Sequence, residues 1–181
     1  VVAVRINADK AQALNLRVLL TAQTPHSVKA SGKQLTLMGH AVGDPTASIH
    51  YCSNLIVNCD GTVTPADSTL YINGATTATL YFVNETSFNG FDKHPVNKGA
   101  PYIENVADDA WHLVNYTYNE LRERHVSDYK QFFDRVKLSL CSASSAGNSM
   151  PTITTEQLLK QYNDAPHTAT SGWNYLETLY F

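Results

Sequence analysis

From Val1 to Glu85 apolar side chains recur at every second residue in short runs, and few folds accept that rhythm. Val2, Val4 and Ile6 alternate with Ala3, Arg5 and Asn7, and Leu14, Leu16, Val18 and Leu20 alternate with Asn15 and Arg17. Further runs cover 27–30, 34–38, 49–58, 62–64, 70–72 and 78–83. A period of two sends successive side chains to opposite faces of a pleated strand, so each run reads as a half-buried strand. Turn residues separate them: Ser31-Gly32, Asn73-Gly74 and Asp60-Gly61, the last being the strongest hairpin dipeptide in the chain. About seven or eight strands this close together predict an antiparallel β-sandwich and not βαβ units. A first run that opens in mid-pattern implies that some partner strands lie outside the set.

The stretch 115–140 changes period. Thr117 with Glu120 three residues on is a capping box, in which a hydroxyl and a carboxylate each take an orphan backbone N–H. Tyr118, Leu121, His125, Tyr129, Phe132 and Phe133 follow at steps of three and four and share one helical face. Val136, Leu138 and Leu140 then alternate with Lys137 and Ser139, which predicts a strand returning directly after the helix. The expected arrangement is a clamp: a helix laid on the sheet, feeding a strand. An earlier stripe, Ile103, Val106, Ala107, Ala110, Leu113 and Val114, predicts a first helix that pairs with it. Thr154 with Gln157 is a second capping box, opening a short helix to about Tyr162. Between these lies 141–151, CSASSAGNSMP, whose small residues mark the domain boundary, so 1–141 and 142–181 are the expected domains.

The composition narrows the function classes. The 181 residues are 43% hydrophobic and 16% charged, with a net charge of −3. Basic residues never gather into a run, which argues against nucleic acid as the partner. No apolar stretch approaches the roughly 20 residues that span a bilayer as a helix. Residues 171–181 begin a helical stripe that reaches no stop signal, and the chain is expected to be a piece of a longer protein. Cys52, Cys59 and Cys141 form no C-x-x-C spacing and read as small buried hydrophobes.

Few residues suggest chemistry of their own. His125 and Asp128 sit one turn apart, as in a catalytic dyad, yet His125 lies on the apolar stripe, where a hydrogen-bonded core histidine is commoner. Asp108 and Asp109 are adjacent on a helix and so diverge, unlike facing glycosidase carboxylates. The seven histidines share no metal-ligand spacing, and no phosphate-binding or nucleophile-elbow motif occurs, so no cofactor is expected. The segment 86–101, TSFNGFDKHPVNKGAP, has no periodicity and is long for a compact domain, which points to function or to an interface.

Four stretches carry a family likeness: 61–91, GTVTPADSTLYINGATTATLYFVNETSFNGF; 118–140, YNELRERHVSDYKQFFDRVKLSL; 150–162, MPTITTEQLLKQY; and 176–181, LETLYF. Arg124, His125, Asp128, Tyr129, Phe133, Arg135, Val136, Leu138 and Leu140 spell R-H-x-x-D-Y and F-x-R-V-x-L-x-L, and 86–91 spells T-S-F-N-G-F. Together they resemble glycoside hydrolase family 95, the inverting α-L-fucosidases with some α-L-galactosidases, with the nearest likeness among members from gut Bacteroidetes. The resemblance implies an N-terminal β-sandwich, a helical linker and an (α/α)6 catalytic barrel, of which this chain would hold the second part of the sandwich and the linker. The family's catalytic acid and water-activating groups lie in the barrel, so no catalytic residue is assigned here. The partner would be the rest of the enzyme, with fucosylated oligosaccharide reached through it, in a periplasmic or secreted location. Asn89, Phe91, Asp92 and His94 would then either edge the sugar pocket or build the joint to the barrel, and the joint is the favoured expectation. The competing reading is a stand-alone carbohydrate-binding or adhesion sandwich, which should present an exposed aromatic platform.

Overall fold

The computed structural model describes residues 1–113, 115–137 and 154–164. The alternating runs of 1–86 form eight strands: β1 Val2–Asn7, β2 Leu14–Leu19, β3 His26–Ser31, β4 Gln34–His40, β5 His50–Cys59, β6 Thr62–Ala66, β7 Thr69–Ala75 and β8 Thr77–Thr86. Every pairing is antiparallel, in a five-stranded sheet ordered β1-β8-β5-β4-β3 and a three-stranded sheet ordered β2-β7-β6. The fold is the β-sandwich with added helices that the alternation predicts.

Between the sheets lie Val18, Leu35, Leu55, Val57, Leu70, Ile72, Ala75 and Ala78, with Leu35, Leu70 and Ile72 wholly sealed from water. The other face of the five-stranded sheet is covered by helix α1, Tyr102–Leu113, whose Val106, Ala110 and Leu113 meet Cys52, Tyr81 and Val83. Burial on both faces explains why β5 keeps even its polar residues inside. Ser53 donates to Asn84 Oδ1 (2.6 Å) and Thr36 donates to Asn54 Oδ1 (2.8 Å), so the buried groups are paired.

The Asp60-Gly61 dipeptide does not close a hairpin. β5 pairs with β4 and β8, β6 pairs with β7, and 60–61 carries the chain from one sheet to the other. The return crossing at Thr76 lies beside it. Asp60 Oδ1 accepts the backbone N–H groups of Thr76 (2.8 Å) and Thr77 (2.9 Å), which ties the two crossings together. These amides hold the Asp60 carboxyl below the usual range, Thr77 contributing most. Glycine is required at 61 because a Cβ would stand 2.6 Å from Asn73 O and 2.7 Å from Ala75 N. True two-residue hairpins join β3 to β4 at Gly32-Lys33 and β6 to β7 at Asp67-Ser68.

The helices are α1, α2 (Tyr118–Phe133) and α3 (Thr155–Asp164). Both capping boxes are made: Thr117 N–H donates to Glu120 Oε2 (2.7 Å) and Glu120 N–H to Thr117 Oγ1 (3.3 Å), while Thr154 and Gln157 exchange the same two bonds. The helix expected to act as the clamp is α2. No residue of α2 is buried, and Tyr129, Phe132 and Phe133 are more than half exposed. Within the first unit, the first turns of α2 pack through Leu121 on the core beneath α1. Val136 and Lys137 are not in a strand, and 138–140 lie outside the described residues, as do Val114, the linker 141–151 and the stripe at 171–181. The chain divides into two compact units, Val1–His125 and Val126–Phe181, so the second half of α2 belongs with the second unit.

Candidate functional site

The connections at one end of the five-stranded sheet meet around His50, the first residue of β5. His50 N–H donates to Ser87 Oγ (2.9 Å), and its carbonyl accepts Ser87 N–H (2.8 Å). The His50 ring places Nε2 2.7 Å from Pro45 O, which pins the 41–49 connection to the sheet. The His40 ring lies 5.8 Å away in the paired position of β4, with Nδ1 2.9 Å from Ala41 O. Tyr102, at the start of α1, meets His50 edge-on at 6.3 Å, and burial beside Cys52 and Glu104 pushes its phenol pKa up. One residue therefore joins β4, the 41–49 and 87–101 loops and the covering helix. Sequence reasoning passed over His40, His50 and Tyr102; their signal was two histidines flanking a hairpin connection, visible only once β4 and β5 are paired.

The segment 87–101 leaves this hub and returns to it. Ala100 N–H donates to Ser87 O (3.0 Å), bringing the loop's ends together, and a Cβ on Gly99 would collide with the Pro95 and Ser87 carbonyl oxygens. The loop is thus a closed surface loop of the Ω type. Two of its candidate binding residues are spent on its own backbone. Asn89 Nδ2 donates to Lys98 O (2.9 Å), and His94 Nδ1 accepts the Val96 and Asn97 N–H groups (each 3.3 Å). Asp92 is exposed beside Gly90, which takes φ +107°. Phe91 is 99% exposed. The four candidates share one loop, and none of them lines the grooves found beside β1 and α2 among the described residues.

The other candidates are scattered. His125 lines a groove beside β1, while Asp128 falls in the second unit. Asp108 and Asp109 are exposed on α1. Cys52 is buried and Cys59 half-buried; both are free thiols near opposite ends of β5, roughly 23 Å apart at strand rise. Cys141 lies outside the described residues. Among the described residues no group of three or more histidine, cysteine, aspartate or glutamate side chains is placed to hold a metal ion, and no helix is long and apolar enough to cross a membrane.

Residues 1–90 match the family model for the N-terminal domain of glycosyl hydrolase family 65. The matched segment takes in all eight strands and the hub at His50 and Ser87, and it stops inside the loop. No curated protein matches the chain.

Proposed function

We propose that this chain is a non-catalytic N-terminal scaffold of a glycoside hydrolase, and that the parent enzyme is an inverting α-L-fucosidase acting on fucosylated glycans. The observation that carries the first part is the match to a glycosidase N-terminal domain across both sheets of the sandwich. The motifs at 86–91 and 124–140 support the narrower substrate class, through their resemblance to family 95. The catalytic groups then belong to the rest of the enzyme, in a periplasmic or secreted setting. The loop 87–101 serves as the joint to that remainder: Asn89 and His94 brace its backbone, while Phe91 stands exposed to be covered.

The test is direct. The 181-residue chain releases no fucose from an aryl α-L-fucoside or from 2′-fucosyllactose, and the parent enzyme does. Turnover by the chain itself, lost on changing His125 or Asp128, would overturn the assignment. A parent that cleaves a different sugar would retain the scaffold role and remove the fucosidase.

A second reading, a free carbohydrate-binding module, draws on the exposed rings of Phe91 and of Trp111, which is 69% exposed on the outer side of α1. Millimolar binding of fucosylated oligosaccharide by the isolated chain, lost in Trp111→Ala, would favour it.

A further inference from the structure

Two Asn-Gly pairs, Asn73-Gly74 and Asn89-Gly90, and one Asp-Gly pair, Asp60-Gly61, lie in the chain. All three carry the same latent reaction. A glycine brings no Cβ to shield its amide nitrogen, so that nitrogen can close on the Cγ of the side chain before it. The fold ties the reacting groups differently at the three sites.

At Asp60 the electrophile is tied. Its Oδ1 accepts the Thr76 and Thr77 amides (2.8 and 2.9 Å), which favour the ionised form, and a carboxylate is a poor electrophile. At Asn73 the nucleophile is tied. Asn73 and Gly74 lie within β7 and not between strands, and Asn73 pairs with Thr62 of β6. On the other side the register of β2 shifts between Leu14 and Leu16, and Asn15 Oδ1 accepts the Gly74 N–H (3.1 Å). Moving Gly74 N onto Asn73 Cγ breaks that bond and distorts the central strand of its sheet, so the reaction waits for local opening. At Asn89 the tied group is the one that leaves. Asn89 and Gly90 lie in the 87–101 loop, outside any strand, with Gly90 at φ +107°. Asn89 Nδ2 donates to Lys98 O (2.9 Å), which restrains the nitrogen that is expelled and not the one that attacks.

We propose that Asn89-Gly90 is a site of spontaneous deamidation, singled out by the fold, which converts a brace of the loop into a carboxylate. Gly90 N attacks Asn89 Cγ and gives up its proton. The Cγ–Nδ2 bond breaks, ammonia leaves and a succinimide closes. Water then opens the ring at either carbonyl, giving aspartate or isoaspartate. One water is consumed, one ammonia is released, and nothing is oxidised or reduced. An ionised carboxylate only accepts, so Lys98 O loses its donor and meets negative charge. The isoaspartate product also routes the main chain through the former side-chain methylene, beside the closure that Ala100 N–H makes to Ser87 O (3.0 Å). Ageing thus loosens the loop. Its consequence for a joint rests on the scaffold reading; the site itself does not.

The experiment holds the 181-residue chain in mildly alkaline buffer and follows both asparagines by peptide mapping with isoaspartate detection. In the folded chain Asn89 converts about tenfold or more faster than Asn73, because reaction within β7 requires opening. In denaturant the two rates converge. Asn15→Ala frees the Gly74 amide and speeds Asn73 alone. Asn89→Gln, whose longer side chain must close a larger ring, abolishes conversion at that position. Asn89→Asp speeds amide exchange at Lys98 and Ala100. The proposal is overturned if Asn89 does not outpace Asn73 in the folded chain. It is also overturned if their ratio is the same in denaturant, because the local sequence and not the fold then sets it. Unchanged exchange in Asn89→Asp overturns the loosening. A parent enzyme of another activity leaves each of these results standing.

Discussion

At the scale of single residues, Asp60 holds together the two places where the chain changes sheets. Its folded-state pKa is depressed by the Thr77 and Thr76 amides, so its stabilisation is complete above the ordinary carboxylate range and is lost as pH falls through the depressed value. Asp60→Asn therefore lowers the urea midpoint at pH 7, and its difference from wild type shrinks on acidification below roughly pH 4. Equal differences at neutral and strongly acidic pH would show that the charge is irrelevant. Gly61→Ala should cost about 1–3 kcal/mol, because the new methyl meets backbone and not a yielding side chain. Asp-Gly was read from sequence as a hairpin because the dipeptide reports a tight backbone turn. It does not report whether the next strand pairs with the last one or leaves for another sheet. In the loop, His94→Ala removes the acceptor for two amides. In the parent enzyme it should lower the melting temperature and leave kcat/KM per folded molecule unchanged. A drop of about tenfold or more in kcat/KM at unchanged stability would place the loop at the sugar pocket.

At the scale of elements, α1 covers the sheet as half of the expected helical pair, and the apolar stripe of α2 is exposed. α2 has the longer apolar stripe, with four large rings, and α1 has the smaller one. α1 nevertheless covers the sheet, because Val106 and Ala110 are small enough to let its backbone settle over Cys52, Tyr81 and Val83. Leu113→Ala, which empties a buried site, should cost about 2–5 kcal/mol. Phe132→Ala, on a ring 64% exposed, should stay within about 0.5 kcal/mol. Denaturant midpoints of the two variants check the order, and a reversed order would assign the clamp to α2. Tyr129 and Phe133 instead stack on one another at 5.1 Å along their own helix. The caps were fully legible beforehand, since a capping box involves residues three apart and needs no tertiary partner.

At the scale of the whole molecule, stability concentrates where strands are paired on both sides and covered on both faces. Amide exchange should be slowest in β5 and β8, and a uniform profile would contradict the sheet order. The eight strands, their antiparallel character and the three helix starts follow from the sequence alone, because a two-residue or three-to-four-residue period is a local property that burial merely confirms. The candidate site was legible only in outline. The aperiodic loop 86–101 stood out, and its closure onto Ser87 did not, since that closure depends on Gly99 approaching carbonyls twelve and four residues away in the chain. The His40–His50–Tyr102 meeting, the crossing of the chain at Asp60 and the order of strands in each sheet were decided by tertiary structure. Each depends on which strand lies beside which, and that choice rests on long-range packing that alternation leaves open.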